Sequence, residues 1–263
     1  EAKDIIEIKL LEISDKYPDV LLPTLADHYF KHKDYLNSFN TYLEWGNRGF
    51  FNPKKWLDFA NNLRNENAYL LSVNAYEYAL KQNLKSYQYG EALLGLAKTF
   101  EDQISPIKTK DIIPYFYGDN IFFDDAFQIF SKISPNNLQF SLDIYDSILV
   151  TIPESSLITE AQFRLAEIQY RIIEDFDKAS ALYINALSKN PPMKLKKNII
   201  LRIADVLLAK GEHKNSITFL DSIYNIYQTQ EIKNKLVEVH LFSGNPDTAL
   251  SIINETFSLI TPV

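Results

Sequence analysis

At 263 residues, 46% of them hydrophobic, the chain is long enough to bury a large core, and its net charge of −7 has the wrong sign for binding a nucleic-acid backbone. No apolar run approaches the roughly 18 residues that a membrane-spanning helix needs, and the absence of cysteine removes disulfides and thiolate metal sites from consideration. Seven glycines, none in a Gly-rich run, argue against hairpins and flexible linkers and favour helices throughout.

Glu1 opens the chain without an initiator methionine, so a fragment or processed product is expected. Ile6, Leu10, Ile13 and Pro18 have the pattern of a second helix whose first helix is missing, which predicts further repeats or a cap upstream. Beyond them, Ala26, Ala60, Ala97, Ala166 and Ala204 recur at steps of 34, 37, 69 and 38 residues, each beside large apolar residues. The apolar positions follow the i, i+3, i+4 spacing of one helical stripe. Unit one reads Leu22, Leu25-Ala26 and Tyr29, a turn at Asp34-Tyr35, then Ser38, Tyr42 and Trp45. Unit two follows with Trp56, Phe59-Ala60 and Leu63, then Ser72, Tyr76 and Ala79. Unit three supplies Leu93, Leu96-Ala97 and Phe100 before Pro106 and Pro114 interrupt its expected second helix, since proline inside a helix costs about 3 kcal/mol or more.

Unit four is read as Ala126, Ile129-Phe130 and Ile133, then Ser141, Tyr145 and Ile148. Unit five gives Phe163, Leu165-Ala166, Ile168 and Tyr170, a turn at Asp175 to Lys178, then Ala179, Tyr183 and Ala186. Unit six gives Ile200, Ile203-Ala204 and Leu207, then Ser216, Leu220 and Ile223; unit seven gives Leu236-Val237 and His240, then Ala249 and Ile253. Gly211 and Gly244 fall where a first helix must stop and are expected to take the left-handed conformation.

This wording resembles the tetratricopeptide repeat (TPR) superfamily, whose units of roughly 34 residues are helical pairs. The resemblance implies an all-α, right-handed α-α superhelix of about seven helical hairpins with one degenerate unit. It implies a single domain over 1–263 with an irregular insertion at 101–123. Unit five, from Ala161 to Pro192, is also similar to repeats of bacterial envelope proteins of the outer-membrane-assembly and Tol–Pal accessory type. Family resemblance of this kind implies a non-catalytic protein–protein interaction scaffold that needs no cofactor. The alternatives are a cell-envelope assembly component and a regulatory or recruiting domain of a larger enzyme, and periplasmic and cytoplasmic placements are both compatible.

In the superfamily the first helices line a concave groove. Carried over, the groove slots include Asp27 and Phe30 in unit one, Lys54, Leu57, Asn61 and Arg64 in unit two, and Leu94 in unit three. The later units contribute Glu160, Phe163, Glu167, Tyr170, Leu201, Asp205, Leu208 and Glu238. Carboxylates interleaved with aromatic and aliphatic side chains suit a protein or peptide partner, a basic segment studded with apolar residues, with a solvated face as the plainer reading. The clamp that grips a C-terminal carboxylate is not expected, because Pro23 and Asp27 replace its lysine and asparagine. Tyr115, Phe116 and Tyr117 in the insertion form a second candidate surface, or else pack over the edge left by the interrupted helix. His28 and His32 stand four apart but lack the glutamate of a zinc protease, so no metal is expected. Acid clusters such as Glu174-Asp175 are read as helix caps, and the run from Lys189 to Arg202 as a solvated loop or a contact for an anionic surface.

Overall fold

A computed structural model describes residues 2–104, 133–152 and 156–260. These form thirteen α-helices and no strand: α1 (Ala2–Ser14), α2 (Pro18–Lys31), α3 (Tyr35–Trp45), α4 (Pro53–Asn65), α5 (Tyr69–Leu80), α6 (Ser86–Glu101), α7 (Pro135–Thr151), α8 (Ser156–Ile168), α9 (Phe176–Ser188), α10 (Met193–Ala209), α11 (His213–Tyr227), α12 (Gln230–Phe242) and α13 (Pro246–Ile260). They group into two compact bodies, α1 to α7 and α8 to α13. No described helix is long and apolar enough to cross a membrane.

Consecutive helices pair as hairpins, α2 with α3, α4 with α5 and so on to α12 with α13. Four hairpin turns share one device. The backbone N–H groups of Asp34, Ala68, Glu212 and Asn245 donate to the carbonyls of Tyr29, Leu63, Leu207 and His240, five residues back, at 2.8–3.0 Å. Such a bond needs a left-handed residue just before the donor. Gly211 and Gly244 fill that place with φ of 74° and 75°, as their positions predict, while Lys33 and Asn67 adopt it at 61°. Asp34 and Asp175 cap the following helices, their carboxylates accepting from the N–H groups of Asn37 and Lys178.

The hairpins from α2–α3 to α10–α11 close on small side chains. Ser38 donates its hydroxyl to the carbonyl of Ala26, Ser72 to Ala60, and Ser216 to Ala204, at 2.8–3.1 Å and always twelve residues apart. The same bond joins Ser141 to Ala97, at 3.3 Å across 44 residues. The first helix assigned by sequence to unit three and the second helix assigned to unit four are therefore the two arms of one hairpin, α6 and α7. The described residues thus hold six hairpins and α1. Ala126, Ile129 and Phe130, expected in the first helix of unit four, lie outside the described residues, as do Tyr115, Phe116 and Tyr117.

Pro23 sits inside α2 and has no N–H to give to the carbonyl of Asp19. The indole of Trp45 makes good the loss, donating Nε1–H to that carbonyl at 3.2 Å from α3. Trp45→Phe removes the donor together with part of a buried ring, so it should cost at least the roughly 1–3 kcal/mol of a stranded carbonyl; urea denaturation should show that loss. Gly95 in α6 has a different duty. A Cβ there would lie 2.2 Å from the ring of Tyr76, a fully buried side chain that cannot step aside. Gly95→Ala should therefore lower stability by about 1–3 kcal/mol, although alanine is the better helix former; equilibrium unfolding gives the sign directly.

Candidate functional site: the first-helix face of the second body

Glu167, Asp205 and Glu238 each follow directly the apolar residue buried at a helix crossing, namely Ala166, Ala204 and Val237. One step along an α-helix is a turn of about 100°, so all three carboxylates emerge beside the core on the same flank of α8, α10 and α12. Each meets a cation of its own chain. Glu167 accepts from Arg171 at 2.8 Å, on the π-type turn Gln169–Ile173 that prolongs α8, and from Arg202 of α10 at 2.9 Å. Arg202 also reaches Asp205 at 2.9 Å. Lys235 of α12 bonds both Asp205 and Glu238, the latter at 2.8 Å.

The result is an unbroken chain of alternating charge across three first helices. Its side chains are only 11–21% exposed, so removing one member leaves a poorly solvated charge behind. A hydroxyl from beneath completes it: Tyr183 of α9, fully buried, donates to Glu167. Burial first, then the Glu167 charge, pushes the Tyr183 phenol far above its ordinary value. Burial alone would lower the Lys235 ammonium, but the charges and hydrogen bonds of Asp205 and Glu238 outweigh it and hold the ammonium above its usual range. Tyr170 is pushed up to about 12 by burial, with the Asp205 charge adding to the effect.

The apolar residues predicted for this face are half-buried rather than open. Phe163 leans on Tyr183 at 5.9 Å between ring centroids, and Tyr170 on Phe176 at 6.0 Å. Leu201 and Leu208 of α10 are half-buried, as is Glu160 of α8. In the first body Leu57 and Leu94 are buried in the core and present nothing to a partner, whereas Asn61 accepts a 2.7 Å bond from the Tyr76 hydroxyl. Sequence reading missed the cations. Arg202, read as part of a solvated basic run, is drawn into the network, while Lys197 pairs with Glu231 and Lys196 stands over the Tyr227 ring. A signal existed: Arg202 and Lys235 each precede a carboxylate by three residues, a spacing that brings side chains together on a helix.

The architecture is that of tetratricopeptide-repeat proteins. MamA superposes on 78% of this chain and 90% of its own with a TM-score of 0.52 at 14% identity. A chain of the APC/C Cut9–Hcn1 hetero-tetramer matches 97% of this chain over 43% of its own, with a TM-score of 0.52 at 12% identity. YrrB, described as a TPR protein with an unusual peptide-binding site, covers 84% of this chain and 91% of its own, with a TM-score of 0.50 at 12% identity. No protein-family model and no curated protein sequence matches the chain.

The titrations have a definite sign. Unfolded tyrosine and lysine release their protons near 10.0 and 10.5, whereas folded Tyr183 and Lys235 hold theirs to higher pH. Tyr42 and Tyr170, held to about 12, act in the same direction. Their contribution to stability is complete below pH 10 and is lost as pH rises through the folded values. Urea midpoints should therefore stay level up to about pH 10 and fall steeply beyond it, and Tyr183→Phe should make that fall shallower.

Proposed function

We propose that the chain is a non-catalytic scaffold that captures a segment of another protein on the first-helix face of its second body. One observation carries this reading: Phe163, Tyr170, Leu201 and Leu208 lie half-buried among a charge ladder already fixed in place by its own partners. Apolar contact area at such a face supplies affinity, and pre-paired charges supply selectivity without a cost of ordering them on binding. The TPR fold is in keeping with that role, and YrrB, with its peptide-binding site, is an instance of the same architecture.

The ladder sets three carboxylates against three cations, Glu167, Asp205 and Glu238 against Arg171, Arg202 and Lys235. An apolar segment carrying charges of both signs fits it best. The basic segment studded with apolar residues that is expected from sequence would have to compete with Arg202 and Lys235 for their carboxylates. Selection of a random peptide display library on the full chain tests the proposal. Enriched peptides should combine apolar residues with both charge signs, and should lose about tenfold or more in affinity on Phe163→Ala with Leu201→Ala. Failure to enrich any peptide, or full affinity in a variant whose helicity matches that of the original chain, would remove the reading.

A further inference from the structure

The first body carries a pocket of about 300 Å³ between α2 and α4, at the lower end of the range for ligand sites and so sized for a side chain rather than a cofactor. Its floor is aromatic. Tyr42 and Phe59 stack at 4.1 Å with planes 10° apart, and Phe30 stands edge-on to Phe59 at 6.1 Å. Asp27 of α2 and Asp58 of α4 both line the pocket. Among the described residues neither carboxylate has a hydrogen bond or an ion pair, in contrast to every carboxylate of the ladder in the second body.

We propose that this pocket receives the guanidinium group of an arginine from a protein partner, held between Asp27 and Asp58 over the aromatic floor. It rests on the reading of the chain as a protein-binding scaffold, but concerns a different body. A planar guanidinium can lie along an aromatic ring and present its N–H fork to carboxylates on either side, which a lysine ammonium cannot do. The electrostatics of the pocket agree. Partial burial raises Asp27 above its ordinary value, and the charges of Lys31 and Lys55 do not offset it. Tyr42 is pushed up to about 12 by burial and then by the charges of Asp27 and Asp58.

The two rim lysines refine the occupant. Lys55 holds its ammonium 5.6 Å from the centre of the Trp45 ring and, with Lys31, is available to a carboxylate beside the incoming arginine. An arginine flanked by an acidic residue is thus favoured over a run of basic residues.

The test is an NMR titration of the full chain with acetyl-arginine methylamide, read on the ring protons of Phe30, Tyr42 and Phe59. Saturable shifts confined to those rings are expected. The lysine analogue should bind several-fold more weakly, and the neutral isostere acetyl-citrulline methylamide should give no saturable shift. Asp27→Asn with Asp58→Asn, which alters only exposed rim groups, should abolish the arginine response while leaving the urea midpoint unchanged. Equal shifts with citrulline, or none with arginine, would overturn the proposal. Peptide binding at the second body is read on Phe163 and Leu201, so either reading can fail without the other.

Discussion

The crossing of two small side chains inside five of the six described hairpins is the constraint from which the rest follows. Ala26, Ala60, Ala97 and Ala204 are inaccessible to solvent, and each meets a serine, equally inaccessible, on the second helix. A larger pair would force the helices apart, and a hydroxyl without a partner would be costly to bury. The alanine carbonyl, already engaged in its own helix, has a second lone pair and accepts the serine proton. In the α8–α9 hairpin Ala166 and Ala179 keep the close approach with no hydroxyl at all, so it is size that the crossing demands. Fixing that contact also fixes the rotation of the first helix. The next residue, whether Asp27, Asn61, Glu167 or Asp205, must then emerge at the edge of the core.

The second helices extend this logic to the outer face. Four residues after the small side chain stands a tyrosine at 42, 76, 145 and 183, each buried. Its ring fills the space beside the crossing, and at three of these positions its hydroxyl crosses to the first helix, to Asn61, Glu101 and Glu167. Core packing and polar placement are therefore properties of the same side chains. A carboxylate so held cannot rotate to find water, which is why the ladder carries its own cations.

Much of this was legible in the sequence, because the spacing of small residues and the positions of turn glycines report local geometry. Gly211, Gly244, Asp34 and Asp175 behave as their neighbourhoods dictate. What escaped needed contacts distant in the chain. Ser141 finds Ala97 across 44 residues, and no periodicity announces that an interruption lies inside a hairpin rather than between two. Nothing local to Pro23 tells that Trp45, 22 residues on, supplies the donor its ring lacks. Phe163 and Tyr170 read as exposed because they occupy first-helix positions, yet second-helix rings at Tyr183 and Phe176 cover part of each. Helical phase fixes direction; burial depends on what the neighbouring helix places there.

The two bodies use one backbone plan with different chemistry. Around α2 to α5 the core is aromatic, Tyr42 touching Trp45, Trp56 and Phe59, and the first-helix face carries Asp27 and Asp58, neither of them ion-paired among the described residues. Around α8 to α12 the buried set is chiefly Ala, Ile, Leu and Val with Tyr183, and the first-helix face is an ion-paired ladder. The difference has a physical consequence. Stacked and edge-on rings shape a concave site through rigid volume. Aliphatic side chains offer no such relief, so contrast on that face must come from fixed charges, which shield poorly from one another and therefore have to alternate in sign. A repeat that specifies only its crossings leaves each body free to build a different surface on them.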